Sequence, residues 1–255
     1  MSHALTPNID VAQVVLYAFW IFFVGLIWWI RREDRREGYP LESDNPRRVN
    51  PPFGLIAQIP PPKTFLLPHG GSVESPNFVR DERAIDATRT SPASGDPLTP
   101  TGAPMSANAG PGSWAARHDE PELLSNGQDA IVPMRVATDY SILAGPDVRG
   151  FEVVGFDGAT AGAVVDIWVD RADMLVRYLE VELSEGGRRL LPMPMALLDD
   201  DHRRVDVHAI SGAQFAQVPT LKQGDRVTAL EEERVSAYYA AGRLWATPRR
   251  AEPLL

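Results

Sequence analysis

The chain has 255 residues, a formal net charge of −9 and no cysteine. That length fits one or two domains, and the missing cysteines exclude disulfides, thiolate metal sites and cysteine nucleophiles. The acidic balance speaks against nucleic acid as a partner.

Val11 to Ile30 is apolar apart from Gln13 and the hydroxyl of Tyr17. A helix of about twenty residues reaches ~30 Å, the thickness of a bilayer's hydrocarbon core. The expectation is a single transmembrane helix over 11–30 and not a cleaved leader. Residues 1–10 carry no Lys or Arg, the run exceeds the ~7–15 residues of a leader's apolar region, and no A-x-A site follows. Trp28 and Trp29 suit the interface. Arg31, Arg32, Arg35 and Arg36 follow the span and no basic residue precedes it, which assigns 1–10 to the outer side and the rest to the inner side.

Residues 31–112 are expected to be an extended Pro/Gly-rich segment. Repeated prolines, as in "NPPFGLIAQIPPPKTFLLPHGG", preclude long helices and central strands. Composition alone reads as a disordered linker, yet Phe53, Ile56, Phe65, Leu66, Leu67 and Trp114 call for burial. The segment is therefore expected to lie ordered on another protein's surface.

Residues 113–255 read as a mainly β, barrel-like domain with a short C-terminal helix. In "AGAVVDIWVD", Val165, Ile167 and Val169 alternate with Asp166, Trp168 and Asp170. In "VRYLEVEL", Arg177, Leu179, Val181 and Leu183 share one face, and Tyr178, Glu180 and Glu182 the other. The intervening "RADML" makes the two runs an antiparallel hairpin. "RRLLPMPMALL" and "RRVDVHAI" add short strands around the charged turn "DDDHRR". Thr228 and Glu231 have capping-box spacing and open a helix expected to end at Gly242.

Chemistry-bearing patterns are sparse. "DDDH" (Asp199 to His202) reads as a solvated turn, because consecutive turn residues seldom converge on one ion and no second histidine stands at ligand spacing. His69 lies among turn formers. No phosphate loop, dinucleotide fingerprint or Ser-His-Asp signature occurs. There remain Asp166, Asp170, Asp173 and Arg177 within one hairpin. They are either an exposed polar strand face or a proton relay, since neighbouring carboxylates raise each other's pKa while a guanidinium lowers it.

Several long stretches carry a resemblance: "RREDRREGYPL", "PKTFLLPHGG", "GPGSW", "IVPMRVATDYSI", "VVDIWVDR", "RYLEVEL", "RLLPM" and "SAYYAAGRLWATP". Over nearly its whole length the sequence resembles the H subunit of the purple-bacterial photosynthetic reaction centre, and its β-rich part resembles a PRC-barrel domain.

The resemblance implies a subunit that is not itself an enzyme and binds no cofactor or metal. It implies a periplasmic N-terminus and a large cytoplasmic domain at the bacterial photosynthetic intracytoplasmic membrane. The implied partners are the L and M subunits, a surrounding core light-harvesting antenna and membrane lipids. Bacteriochlorophyll, bacteriopheophytin, quinones and non-haem iron would be held in L and M. The domain would cap L and M, shield the quinone and iron region, and conduct protons to the secondary quinone. In the family an acidic residue, commonly Glu, stands where this chain has Asp173, and an arginine stands at Arg177. Some members carry histidines in the loop after "PEL", where protons are taken up; here Asn126 and Gln128 stand there, and neither titrates. Asp119, Glu122, Glu120 and Asp129 are the acidic substitutes, with His118 nearby in sequence. Two other classes stay open at this level: a membrane-anchored PRC-barrel adaptor for another partner, and a tethered hydrolase around "DDDH".

Overall fold

The computed structural model describes residues 4–6, 9–39, 59–68, 70–79, 83–93, 95–143 and 145–250. Phe53, Ile56 and His69 lie outside the described residues. The chain divides into two compact units, Met1–Asp81 and Glu82–Leu255.

In the first unit, β1 (Ala4–Thr6) and β2 (Ile9–Asp10) pair antiparallel ahead of α1 (Val11–Glu33). Asp10 caps α1 by accepting the Gln13 N–H at 2.7 Å. No residue of α1 is buried, and Ile21 is 75% exposed. By length and composition, a helix this apolar and uncovered is a candidate membrane span. Arg31 and Arg32 occupy its last turn, where cations complement the helix dipole. The chain leaves through a 3₁₀ turn, Asp34–Arg36. Arg36 pairs with Glu33 at 2.9 Å and donates to the Pro61 and Ser75 carbonyls at 2.8 and 2.9 Å. Those bonds tie the foot of α1 to the hairpin of β3 (Lys63–Leu66) and β4 (Ser72–Ser75), and Lys63 adds a 2.7 Å ion pair to Glu33.

The second unit opens with the small hairpin of β5 (Ala87–Arg89) and β6 (Leu98–Pro100). Trp114 then lies between the guanidinium groups of Arg83 and Arg234, 3.9 and 4.6 Å from the ring centroid. The core belongs to a seven-stranded sheet of β7 (Ile131–Pro133), β8 (Glu152–Gly155), β9 (Thr160–Asp170), β10 (Leu175–Leu183), β11 (Arg188–Pro192), β12 (Leu197–Asp199) and β13 (Arg204–Val207). The strand order is β11-β10-β9-β8-β13-β12, with β7 also on β9. Neighbours are antiparallel except β8 and β13, which run parallel. Phe151, Val153, Val164, Trp168, Leu179, Val181, Val205 and Val207 are essentially fully buried. Gly162 sits where a Cβ would meet the Glu182 carbonyl oxygen at 1.9 Å, so only glycine lets β9 and β10 close there.

The C-terminal helix α2 (Ala229–Trp245) starts with the expected Thr228–Glu231 capping box. It does not stop at Gly242. The helix runs to Trp245, and Gly242 is a close-approach residue: a Cβ would stand 2.5 Å from Ile210 Cγ2 and 2.7 Å from the Ala209 carbonyl oxygen. Tyr239, fully buried, donates to the Leu190 carbonyl at 3.2 Å, and Tyr238 to the Gln214 carbonyl at 2.9 Å. These bonds fasten α2 to the barrel while the two rings bury their apolar bodies.

Candidate functional site: the β9–β10 hairpin and the loop beside it

The hairpin departs from its alternation in register, which slips between Val176 and Tyr178 and again between Glu180 and Val181, and in burial. Glu180 faces Asp166, Leu179 faces Ile167 and Tyr178 faces Trp168. The register slips between Val176 and Tyr178, so Arg177 is an extra residue with no partner across the ladder. The bulge removes Arg177 from the face it would share with Leu179 and turns it towards α2. The second departure is burial. Asp166, Trp168 and Asp170 are buried as completely as Ile167 and Val169, because both faces of this part of β9 are covered.

At the tip, Asp170 accepts the backbone N–H groups of Ala172 and Asp173 at 2.9 and 3.2 Å, which fixes the turn as a short aspartate side chain does best. Met174 takes a left-handed backbone conformation, φ 54°. Arg171 anchors the tip from behind, its N–H to the Ala130 carbonyl at 2.8 Å and its guanidinium to the Asp129 carbonyl. Asp173 is thus held exposed at the apex, with exposed Met174 and Leu175 beside it.

Asp166 lies in the middle of β9, four residues before Asp170, and belongs to an ionic network around two buried acids. Arg135 Nη1 donates to Asp166 Oδ2 at 2.9 Å and also to Glu180 Oε2. The Ile167 N–H adds 2.8 Å to Asp166, the Trp168 indole 3.1 Å to Glu180, and Arg188 3.1 Å to the other Glu180 oxygen. Arg135 also reaches Asp225 and the Gly224 carbonyl. Burial opposes its charge, but Glu180, Asp225 and Asp166 outweigh burial and hold its pKa above the usual guanidinium value.

Between tip and network, Arg177 faces Glu232 of α2, Nε to Oε2 at 3.6 Å. The Tyr178 hydroxyl donates to the same oxygen at 2.6 Å. Burial pushes the Glu232 carboxyl up, Tyr178 and Arg177 pull it down, and the negative charge of Glu122 pushes it up again; the net direction is up. Burial, and then the charge of Glu232, drive the Tyr178 phenol far above its ordinary range.

The loop before β7 sorts its acidic residues. Asp119 is bound by the Lys222 ammonium and accepts from the Thr228 hydroxyl at 3.0 Å, and these bonds depress its carboxyl. Asp129 is gripped by Arg226 through two 2.8 Å bonds. The Asn126 and Gln128 amides bond to each other at 3.2 Å. The His118 and Glu120 carbonyls accept from the first turn of α2. Glu122 is exposed, and its charge acts on Glu232. Asp199 and His202 turn inwards on their own loop, with the ring Nδ1 at 2.8 Å from the carboxylate. Among the described residues, no group of three His, Cys, Asp or Glu side chains could hold a metal ion.

Of the residues singled out from sequence, Asp170, Asp173 and Arg177 therefore lie at the tip and its bulge. Asp166 stands in mid-strand, and Asp119 and Glu122 belong to the adjoining loop. Arg135, Glu180 and Glu232 were not among them. Glu180 shares the alternating face of Asp166, which was the one signal available.

Residues 3–136 match the family described as the photosynthetic reaction centre H-chain N-terminal region, and residues 141–214 match the PRC-barrel domain. The two matches join next to the Arg135 network, in which a residue of the first grips two buried acids of the second. With the first match covering more than half of the chain, and a barrel-like domain following one apolar helix, the protein belongs to the family of photosynthetic reaction-centre H chains.

Proposed function

We infer that this chain is the non-catalytic, pigment-free cap of a photosynthetic reaction centre, that it covers the cytoplasmic face of the L and M subunits, and that it passes protons to the secondary quinone. Residues 1–10 lie in the periplasm, and everything after the span lies in the cytoplasm. The Pro/Gly-rich residues up to about 112 lie along L and M, a role supported by the exposure of Phe65, Leu66, Phe78, Val79 and Ile85.

The observation that carries the proton role is the apex of the hairpin. Asp173 is presented to the outside by a turn that Asp170 and Arg171 make rigid. Reduction of a quinone to a quinol consumes two electrons and two protons, and a positioned carboxylate is a side chain that can pass protons on. Asp173→Asn keeps the size and removes the titration. The variant is expected to slow the second, proton-coupled reduction of the secondary quinone by at least ~10-fold, about 1.4 kcal/mol of barrier. The first electron transfer changes less, and pigment content stays normal. Flash-induced absorbance kinetics on the purified complex separate the two steps; an unchanged second step removes Asp173 from the route.

A further inference from the structure

The ladder along β9 has a gap on one side. β7 pairs with residues 168–170, and its continuation closes with the Met134 N–H on the Ile167 carbonyl at 2.8 Å. The lead into β8 begins with the Gly150 N–H on the Val164 carbonyl at 2.7 Å. Val165 and Asp166 lie between these two bonds. Val165 is also the extra residue of the slip between Glu180 and Val181, without a partner on β10. A cleft of about 230 Å³ opens over this gap, lined by Met134, Arg135, Arg149, Val165, Asp166 and Arg188. An entering group meets three guanidinium ions and one carboxylate. The other acids paired with these arginines (Asp147, Glu180, Glu182 and Asp225) do not line the cleft.

The three cations differ in what they have left to give. Arg135 closes all its nitrogens on Asp166, Glu180, Asp225 and Gly224, so it supplies charge alone. Arg149 spends Nε and Nη2 on Asp147, and Arg188 spends Nη1 on Glu180 at 3.1 Å. Arg149 Nη1 and Arg188 Nη2 have no hydrogen-bond partner among the described residues, and both side chains are about half exposed, within reach of a solute. We propose that this cleft binds one phosphate-type oxyanion, free phosphate or the phosphate of a lipid headgroup, between Arg149 and Arg188. Guanidinium forks match phosphate oxygens. A phosphate can accept from two separate forks, whereas the two oxygens of a carboxylate suit one. The cleft falls below the ~300–1,000 Å³ of sites for drug-sized molecules, which leaves room for the anionic group and none for a nucleotide. The half-buried side chains of Val165 and Met134 give it an apolar wall. Once bound, the anion ties the lead into β8 to β11 across the gap. Such a site needs neither the capping role nor proton conduction.

The test is calorimetric titration of the assembled complex at constant ionic strength with two probes: inorganic phosphate, and glycerophosphoglycerol as a phosphodiester headgroup freed of its chains. One probe or both should saturate a site at one per complex. Saturation by inorganic phosphate assigns the site to the free ion, and saturation by the diester alone assigns it to a lipid. Arg149→Gln is expected to weaken binding at least ~10-fold, the loss of a charge-assisted hydrogen bond. Arg188→Lys keeps the charge, loses the fork and should weaken binding several-fold. Arg243→Gln removes the same charge from an exposed position of α2 and should change nothing. The proposal is overturned if neither probe saturates, if Arg149→Gln binds normally, or if Arg243→Gln is weakened as much as Arg149→Gln, which would reduce the effect to net charge. Should Arg149→Gln not assemble, Arg149→Lys decides, and unchanged affinity there overturns the site.

Discussion

Arg135 shows how much one side chain can organise. Its guanidinium bridges two acids that face each other across a ladder, and its remaining nitrogens close on Asp225 and Gly224. Removing it leaves Asp166 and Glu180 buried, adjacent and charged, a state that costs far more than the intact pair contributes. Arg135→Met is expected to lower stability by about 3 kcal/mol, read from urea unfolding of the solubilised chain. Adding Asp166→Asn and Glu180→Gln should recover much of that loss, because no charge is then stranded. An unchanged midpoint in the single variant would mean that solvent already screens the network. Sequence could not disclose this arrangement. The partners of Arg135 stand 31, 45 and 90 residues away. Nor does a period of two reveal that both faces of β9 are covered, so Asp166 read as either an exposed polar face or a relay member, and Glu180 on the same face was passed over.

The elements themselves were more legible, because their signals are local. The span, the β9–β10 hairpin and the capping box of α2 each follow from a period or a spacing within a few residues. The misreading of Gly242 has the same origin, since a glycine late in a helical pattern marks a C-cap and a close packing contact alike. The Ala209 carbonyl that decides between them lies 33 positions earlier. The parallel pairing of β8 with β13 also lacked any local mark. The Pro-rich stretch is the intermediate case, where composition indicated irregular chain and the structure adds two short hairpins. Hairpins of three or four residue pairs are marginal in water, and holding their backbone costs about 1–2 kcal/mol per residue. The bonds from Arg36 and Lys63 offset only part of that for β3 and β4. If L and M supply the rest, amide hydrogen exchange across Lys63–Leu66 and Ser72–Ser75 is slow in the complex and fast in the isolated chain. Equally fast exchange in both would refute docking of this hairpin.

At the scale of the whole molecule, the determining asymmetry is charge about the span. Four arginines follow Ile30 within six positions, and none precedes Val11. Glu33 and Asp34 neutralise part of that charge, Glu33 through Arg36 and Lys63 and Asp34 through Arg31 at 3.8 Å. Orientation nevertheless follows the basic residues, because acidic ones contribute little to which flank stays on the cytoplasmic side. Arg32 lies over the Trp28 ring at 5.6 Å, so cation and aromatic anchor meet at the same end of the helix. The opposite orientation would require four guanidinium groups to cross the membrane together with the entire β-rich unit. The N-terminus is therefore expected in the periplasm and residues 31–255 in the cytoplasm. Protease added to inside-out vesicles should digest the barrel and leave a membrane-held fragment of a few kilodaltons, about the mass of α1 and its short flank. Right-side-out vesicles should protect the barrel until detergent is added. Digestion of the barrel only in right-side-out vesicles would reverse the topology, and with it the proposed role of Asp173 on the cytoplasmic face.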